Sequence, residues 1–486
     1  MASAAEGDME AELTRGLQWG FQDLSLNKLA TSLGASEQAL RLIISIFLGY
    51  PLALFYRRYL FYKDSYLIHL FHTFTGLSIA YYNFGTQLYH SLLCIVLQFL
   101  ILRLMGRTIT AVLTTFCVQM GYLLAGYYNT ATGTYDIKWT MPHCVLTLKL
   151  IGLAIDYYDG GKDQKSLTSR AADICHTGCP LPAGSRWLLL LLWSLPGGAP
   201  VLHEPLHEAG AGRADRCPQG RYQTAPYLLS GAWPWPGLPS GLHPAQPPTS
   251  PKTISSATTT KTAASGSAAC TCCSGASSCC TNMSPVGWST EGVCILTGLG
   301  FNGFDEYGTA KWDACANMKV WLFETNPRFT GTIASFNINT NAWVSRYFFK
   351  RLKFLGNKVL SQGLSLLFLA LWHGLHSGYL VCFQMEFLIV IVERQAASLI
   401  RDSPVLSRLA SITVLQPVYY LVQQTIHWLF MGYSMTAFCL FTWDKWMKVY
   451  KSIYFLGHVF FLSLLFILPY VRKVMVPRKE KLKKME

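Results

Sequence analysis

The chain has 486 residues, of which 51% are hydrophobic, 14% aromatic and only 14% charged. That balance suits a polytopic membrane protein better than a soluble multidomain enzyme. The net charge of +14 fits cytosolic loops beside anionic lipid rather than nucleic-acid binding.

Residues 1–40 are polar and slightly acidic, without the basic-then-apolar start of a cleavable signal, and are expected to form a lumenal tail. Apolar runs near 41–56, 67–83, 88–102 and 108–126 approach the length of a membrane span. Arg57 and Arg58 follow the first run, and Arg103 and Arg107 separate the third from the fourth. The turn "NFGTQ" between the second and third is uncharged. Two basic loops on one side and a neutral one on the other place the N-terminus in the lumen. Residues 41–165 are therefore read as N-terminal transmembrane helices.

From 166 to 288 the chain turns to Pro, Gly, Ser, Thr and Cys, as in "GAWPWPGLPSGLHPAQPPTSP" and "ACTCCSGASSCC". Such a stretch buries too little apolar surface to offset the entropy of ordering. Its cysteines lack paired CxxC spacing and a nearby His, so a metal or disulfide module is disfavoured. A disordered linker is a second reading. A third is out-of-frame sequence, which the genetic code allows: codons for "CTCCSG" (270–275) re-read one base earlier give Met-Tyr-Met-Leu-Leu-Trp, a membrane-helix string. Out-of-frame sequence is the favoured reading, and an irregular backbone is expected there.

Membrane-protein composition resumes at 289 and continues to 474, with further apolar runs near 358–372, 377–393, 410–440 and 452–471. Before them, Arg346, Lys350, Arg351 and Lys353 beside Tyr347, Phe348 and Phe349 read as an amphipathic basic helix. It would anchor the chain at the interface or hold phosphates at the cytosolic face. The tail 475–486 is basic and expected in the cytosol. Lys483 and Lys484, fourth and third from its end, match a dilysine signal for return to the endoplasmic reticulum.

"LWHGLHSGYL" (371–380) places His373 and His376 in an apolar stretch, and ionisable residues inside a membrane mark functional sites. In a continuous helix the two, three apart, would share a face. Gly374 and Gly378 would let a substrate chain approach the backbone. A neutral imidazole in a partly dry site can act as general base. Ser377 permits a Ser–His hydrolase, but no Gly-x-Ser-x-Gly elbow supports it. Two His at this spacing lack the further ligands of a metal site. A transporter using intramembrane His is another class, though no inverted repeat is evident.

"FNINTNAW" (336–343), then a basic stretch, then "LWHGLHSGY" at the end of an apolar helix resembles the membrane-bound O-acyltransferase family. Within it, 1–165 and 289–486 are similar to vertebrate lysophospholipid-acylating members, through "LGASEQALRLIISIFLGYP", "TEGVCILTGLGFNGF", "WDACANMKVWLFETNPRFTGTIASFNINTNAW" and the "KKME" end. The resemblance implies an all-α polytopic bundle around an interior catalytic tunnel, with Asn337 and His373 as catalytic residues. It implies acyl transfer from acyl-CoA to a lysophospholipid hydroxyl, favouring polyunsaturated chains. His376, Trp343, Arg346, Lys350 and Arg351 are candidate substrate-binding residues, and the substrates are acyl-CoA and lysophospholipid within membrane lipid. No cofactor or metal is expected, because the thioester is already activated. A sterol, diacylglycerol or protein acceptor is the alternative within this chemistry. Oligomeric state is not encoded in these motifs.

Overall fold

The computed structural model describes residues 24–131, 137–160 and 289–476. The central segment expected to be irregular, and the dilysine pair Lys483 and Lys484, lie outside the described residues. Among the described residues there is no β-strand, only isolated bridges between Phe304 and Ala310 and between Met318 and Phe336. The all-α polytopic class follows from this helical content and from the lengths of the apolar helices.

These residues form two compact units, the first comprising 24–131, 137–160 and 289–317 and the second 318–476. In the first unit, helix α1 (Leu24–Ser32) lies within the tail expected to be polar. Helix α2 (Glu37–Phe55) starts where Ser36 accepts a hydrogen bond from the Ala39 N–H, and Glu37 pairs with Arg41 one turn on. A π-helical turn carries it through Arg57 and Arg58 to Leu60. Helices α3 (Ser65–Phe84) and α4 (Tyr89–Met105) meet at Gly85, whose φ of 55° makes the uncharged turn. Helix α5 (Ile109–Thr130) is capped by Thr108.

Helix α6 (Thr140–Asp159) is the most enclosed of the unit, and Cys94, Ile95 and Leu102 of α4 pack on its Leu146, Leu150, Leu153 and Ala154. Buried polar side chains pair inside this bundle: Ser91 with His143 at 3.1 Å, and Gln98 with Thr115 at 3.1 Å. Helix α7 (289–297) joins the unit by hydrogen bonds from Tyr50 to the Ser289 carbonyl and from Arg57 to the Leu296 carbonyl.

The second unit opens with short helices α8 (Val320–Thr325), α9 (Phe329–Ser335) and α10 (Ile338–Trp343). Long helices follow: α11 (Lys358–His373), α12 (Ser377–Asp402), the short α13 (Pro404–Ser411), α14 (Gln416–Leu440), α15 (Trp443–Ser452) and α16 (Leu456–Met475). Its core joins Met385, Ile389 and Val392 of α12 to Phe430, Tyr433 and Ala437 of α14, Tyr450 of α15 and Phe461 of α16. At its centre the rings of Tyr433 and Tyr450 lie parallel, with centroids 4.5 Å apart.

Among the described residues four helical stretches, Glu37–Leu60, Tyr66–Met105, Ile109–Thr130 and Leu456–Met475, are long and apolar enough to cross a membrane; α13 with α14, bent by 75°, makes a fifth if the pair is one span. Helices α6 and α12 are long but carry ionisable residues, buried at His143, Asp156 and Asp159 of α6 and exposed at Arg394 and Arg401 of α12.

Candidate active site

The sequence motifs containing Asn337 and His373 both belong to the second unit. Asn337 sits at the junction of α9 and α10 with φ 51° and ψ 44°, a left-handed conformation that asparagine tolerates better than most side chains. Its carbonyl accepts the Asn341 N–H at 3.0 Å. Asn341 then turns its side-chain amide back to the carbonyls of Ile333 (2.7 Å) and Phe336 (2.9 Å), closing the junction. The side chain of Asn337 makes no capping hydrogen bond and is half-buried.

Two polar links hold α9 against the long helices. The Thr330 N–H and hydroxyl donate to the Glu393 carboxylate at 3.1 and 2.7 Å, and Thr332 meets His427 Nε2 at 2.7 Å. From α10, Trp343 is buried and lies near-parallel to Phe368 of α11 at 5.9 Å, while Phe348 stacks on the same ring at 4.6 Å. The Asn337 segment is thereby packed against α11 five residues before its end.

That end is His373. Its ring stands among Trp372 (4.7 Å), Phe438 (5.2 Å), Phe383 (5.4 Å, stacked) and Tyr379 (5.9 Å). Among the described residues its imidazole has no hydrogen-bond partner, and no hydrogen bond joins it to Asn337. Four aromatic side chains thus surround the ring, and no described residue occupies its nitrogens by a hydrogen bond.

The continuous helix expected through both histidines is broken. Gly374, at φ 140°, ends α11, and His376 is the extended residue that precedes α12. His373 and His376 therefore do not share a helical face. The His376 ring packs on Phe441 at 4.9 Å, and the Lys445 ammonium lies 5.2 Å from the centre of that same ring.

Gly378 serves the protein's own packing rather than an approaching substrate chain. Its N–H donates to the Phe441 carbonyl at 2.9 Å, and a Cβ there would run into the carbonyl of Ala437 and the backbone of Phe441. Ser377 accepts a hydrogen bond from Trp446 Nε1 at 3.0 Å, tying α12 to α15.

The basic stretch is helical but irregular: a π-helical turn, Val344–Phe348, passes into a 3₁₀ segment, Phe349–Leu355. A regular amphipathic α-helix is not formed; the π-helical turn goes with Trp343 and Phe348, five residues apart, both reaching Phe368. Arg346 is half-buried with its guanidinium over Tyr347, while Lys350 and Arg351 are exposed. These cations lie alongside α11: Trp343 and Phe348, which flank Arg346, both reach Phe368, and the Leu352 carbonyl accepts a hydrogen bond from the Ser361 hydroxyl at 3.2 Å.

The chain matches the model of the membrane-bound O-acyltransferase family over residues 124–177 and 276–436, which include Asn337, Trp343, His373 and His376. It is 75% identical to "Lysophospholipid acyltransferase 5" of Bos taurus and 68% identical to the protein of the same name from Homo sapiens, each over the whole of both chains. It is 32% identical to the Drosophila melanogaster protein of that name, over 90% of this chain and 88% of the relative. The chain belongs to the membrane-bound O-acyltransferase family and is a polytopic membrane acyltransferase.

Proposed function

We propose that this enzyme transfers a fatty acyl group, polyunsaturated by preference, from acyl-CoA to the sn-2 hydroxyl of lysophosphatidylcholine and related lysophospholipids. The carrying observation is His373, seated in an aromatic wall with no hydrogen-bond partner among the described residues. The names of the relatives at 68–75% identity support the acceptor class.

In this mechanism His373 takes the proton of the acceptor hydroxyl as its oxygen attacks the thioester carbonyl. Asn337 offers its amide to the oxygen that gains negative charge, or orients the acceptor. Collapse of the tetrahedral intermediate expels CoA as thiolate, and His373 returns the proton to it. No metal or redox step enters, since the thioester supplies the activation. Arg346, Lys350 and Arg351 would hold the CoA phosphates beside α11, with the pantetheine arm extended toward His373. Trp343 and His376 would line the approach.

We also propose that 166–288 is out-of-frame sequence; in support, the family match stops at 177 and resumes at 276. Sequencing the transcript tests this: an open frame recovering apolar helices by small insertions or deletions is expected, and an unchanged frame would overturn it. For function, microsomes containing the transcript-verified full-length protein should be given labelled acyl-CoA with lysophosphatidylcholine, diacylglycerol or sterol. Label in phosphatidylcholine is expected. Label only in triacylglycerol or steryl ester would establish the alternative acceptor.

A further inference from the structure

Glu386 lies on the inward face of α12, and no described residue hydrogen-bonds or pairs with it. In this part of α12 the exposed positions are Leu380 and Gln384, whereas Tyr379, Cys382, Met385, Ile389 and Val390 are buried. At 100° per residue, Glu386 falls between Tyr379 and Cys382, on the side away from Leu380 and Gln384. Seven residues on, within about 20° of the same direction, is Glu393, whose carboxylate takes both donors of Thr330. One carboxylate on this face is thus satisfied by α9. Among the described residues Glu386 has neither hydrogen bond nor ion pair, yet it is only half-buried. Part of Glu386 is therefore accessible rather than enclosed by packing.

This part of α12 also borders the candidate site. Phe383, one turn before Glu386, stacks on His373 at 5.4 Å, and Tyr379, two turns before it, contacts the same imidazole. A carboxylate in an apolar bundle is costly unless something pairs with it. A lone carboxylate on the side of the helix that also carries Tyr379 and Phe383 matches the chemistry that recognises an organic ammonium, which offers charge and, when quaternary, no hydrogen-bond donor.

We propose that Glu386 binds the cationic headgroup of the acceptor, the ammonium of choline or ethanolamine, while the acceptor's hydroxyl is presented to His373. This deepens the lysophospholipid reading and rests on it. Glu386 would set which headgroups are accepted without touching the reacting atoms.

The test compares acceptors that share an acyl-glycerol body but differ in headgroup: lysophosphatidylcholine and lysophosphatidylethanolamine, which carry a cation, and lysophosphatidylglycerol, which does not. For Glu386→Gln, the KM for the two cationic acceptors is expected to rise roughly tenfold or more relative to that for lysophosphatidylglycerol, the scale of one lost charge-assisted contact. The KM for acyl-CoA should not follow. Glu386→Asp, which keeps the charge, should retain the preference in part. An equal change for all three acceptors, a change confined to acyl-CoA, or no change would overturn the proposal. If Glu386→Gln turns over too slowly to assay, thermal stabilisation of the purified variant by each acceptor replaces KM. Selective loss for the cationic acceptors supports the role, and stabilisation equal to wild type overturns it. Failure of the wild-type protein to acylate any of the three would instead overturn the lysophospholipid reading itself.

Discussion

Replacing Gly378 by alanine is expected to damage both stability and turnover, although it adds one methyl group at a residue that touches no substrate in the proposed mechanism. The new Cβ would stand 2.7 Å from Phe441 Cα and 2.9 Å from its carbonyl oxygen, with the Ala437 carbonyl closer still. All three obstacles are backbone atoms, so no side-chain rotation relieves them. Ordinary contact begins near 3.4 Å, and the nearest obstacle, the Ala437 carbonyl, requires α12 and the end of α14 to part by about 1 Å or more. Overpacking of this kind costs about 1–3 kcal/mol, and stretching the Gly378 N–H bond to Phe441 forfeits up to about 1 kcal/mol more. The displaced segment carries Tyr379 and Phe438, both packed on His373. A shift approaching 1 Å there would slow acyl transfer by about 10- to 100-fold. Gly363→Ala is the control, since its Cβ would meet only the Phe387 ring at an ordinary 3.4 Å, and alanine favours the helix by up to about 1 kcal/mol. Thermal unfolding of the detergent-purified variants, with initial rates beside it, reads both effects. A Gly378→Ala protein that melts and turns over like Gly363→Ala would refute the close-packing argument.

Asn337 offers a way to separate side-chain chemistry from backbone shape: Asn337→Gly keeps the left-handed turn easily, whereas Asn337→Ala strains it by about 1 kcal/mol. Comparable loss of rate in both, with the glycine variant as stable as wild type, is expected if the amide acts in catalysis; an active glycine variant would reduce Asn337 to a turn residue. Lys483 and Lys484 changed together to Ser are expected to release the protein from the endoplasmic reticulum, as read by microscopy of the tagged chain, and unchanged localisation would remove the dilysine signal.

The long helices were legible because lipid rewards continuous apolar runs: the stretches near 67–83, 358–372 and 377–393 fall within observed helices, whereas 410–440 is broken between α13 and α14 and 452–471 begins before the turn that precedes α16. Helix α6 left a weaker trace. It carries His143, Lys149, Asp156 and Asp159 among its apolar residues, and protein rather than lipid surrounds most of it, so hydropathy understates it. The break between His373 and His376 was written in the sequence as Gly374, but a glycine does not announce its φ. The role of Gly378 was hidden for a related reason. Whether a missing Cβ admits a substrate or a neighbouring helix depends on which element packs there, and Phe441 is 63 residues away in the chain.

Among site residues, Asn337 and His373 were found by motif, not by composition. Asn341, Glu393 and His427, which pin the Asn337 segment, were not found. Their only sequence signal is polarity within apolar or helical surroundings, which also describes Glu386. Telling a satisfied polar group from an unsatisfied one requires its partners, and Thr330 and Thr332 are ordinary residues until α9 is seen beside α12 and α14.

The most direct test of a catalytic base at His373 is single-turnover acyl transfer by His373→Ala in microsomes, with expression and membrane insertion verified. The rate is expected to fall by about two to four orders of magnitude, with a milder fall for His376→Ala, whose ring packs on Phe441 at the start of α12. Retention of most of the wild-type rate by His373→Ala would contradict the assignment.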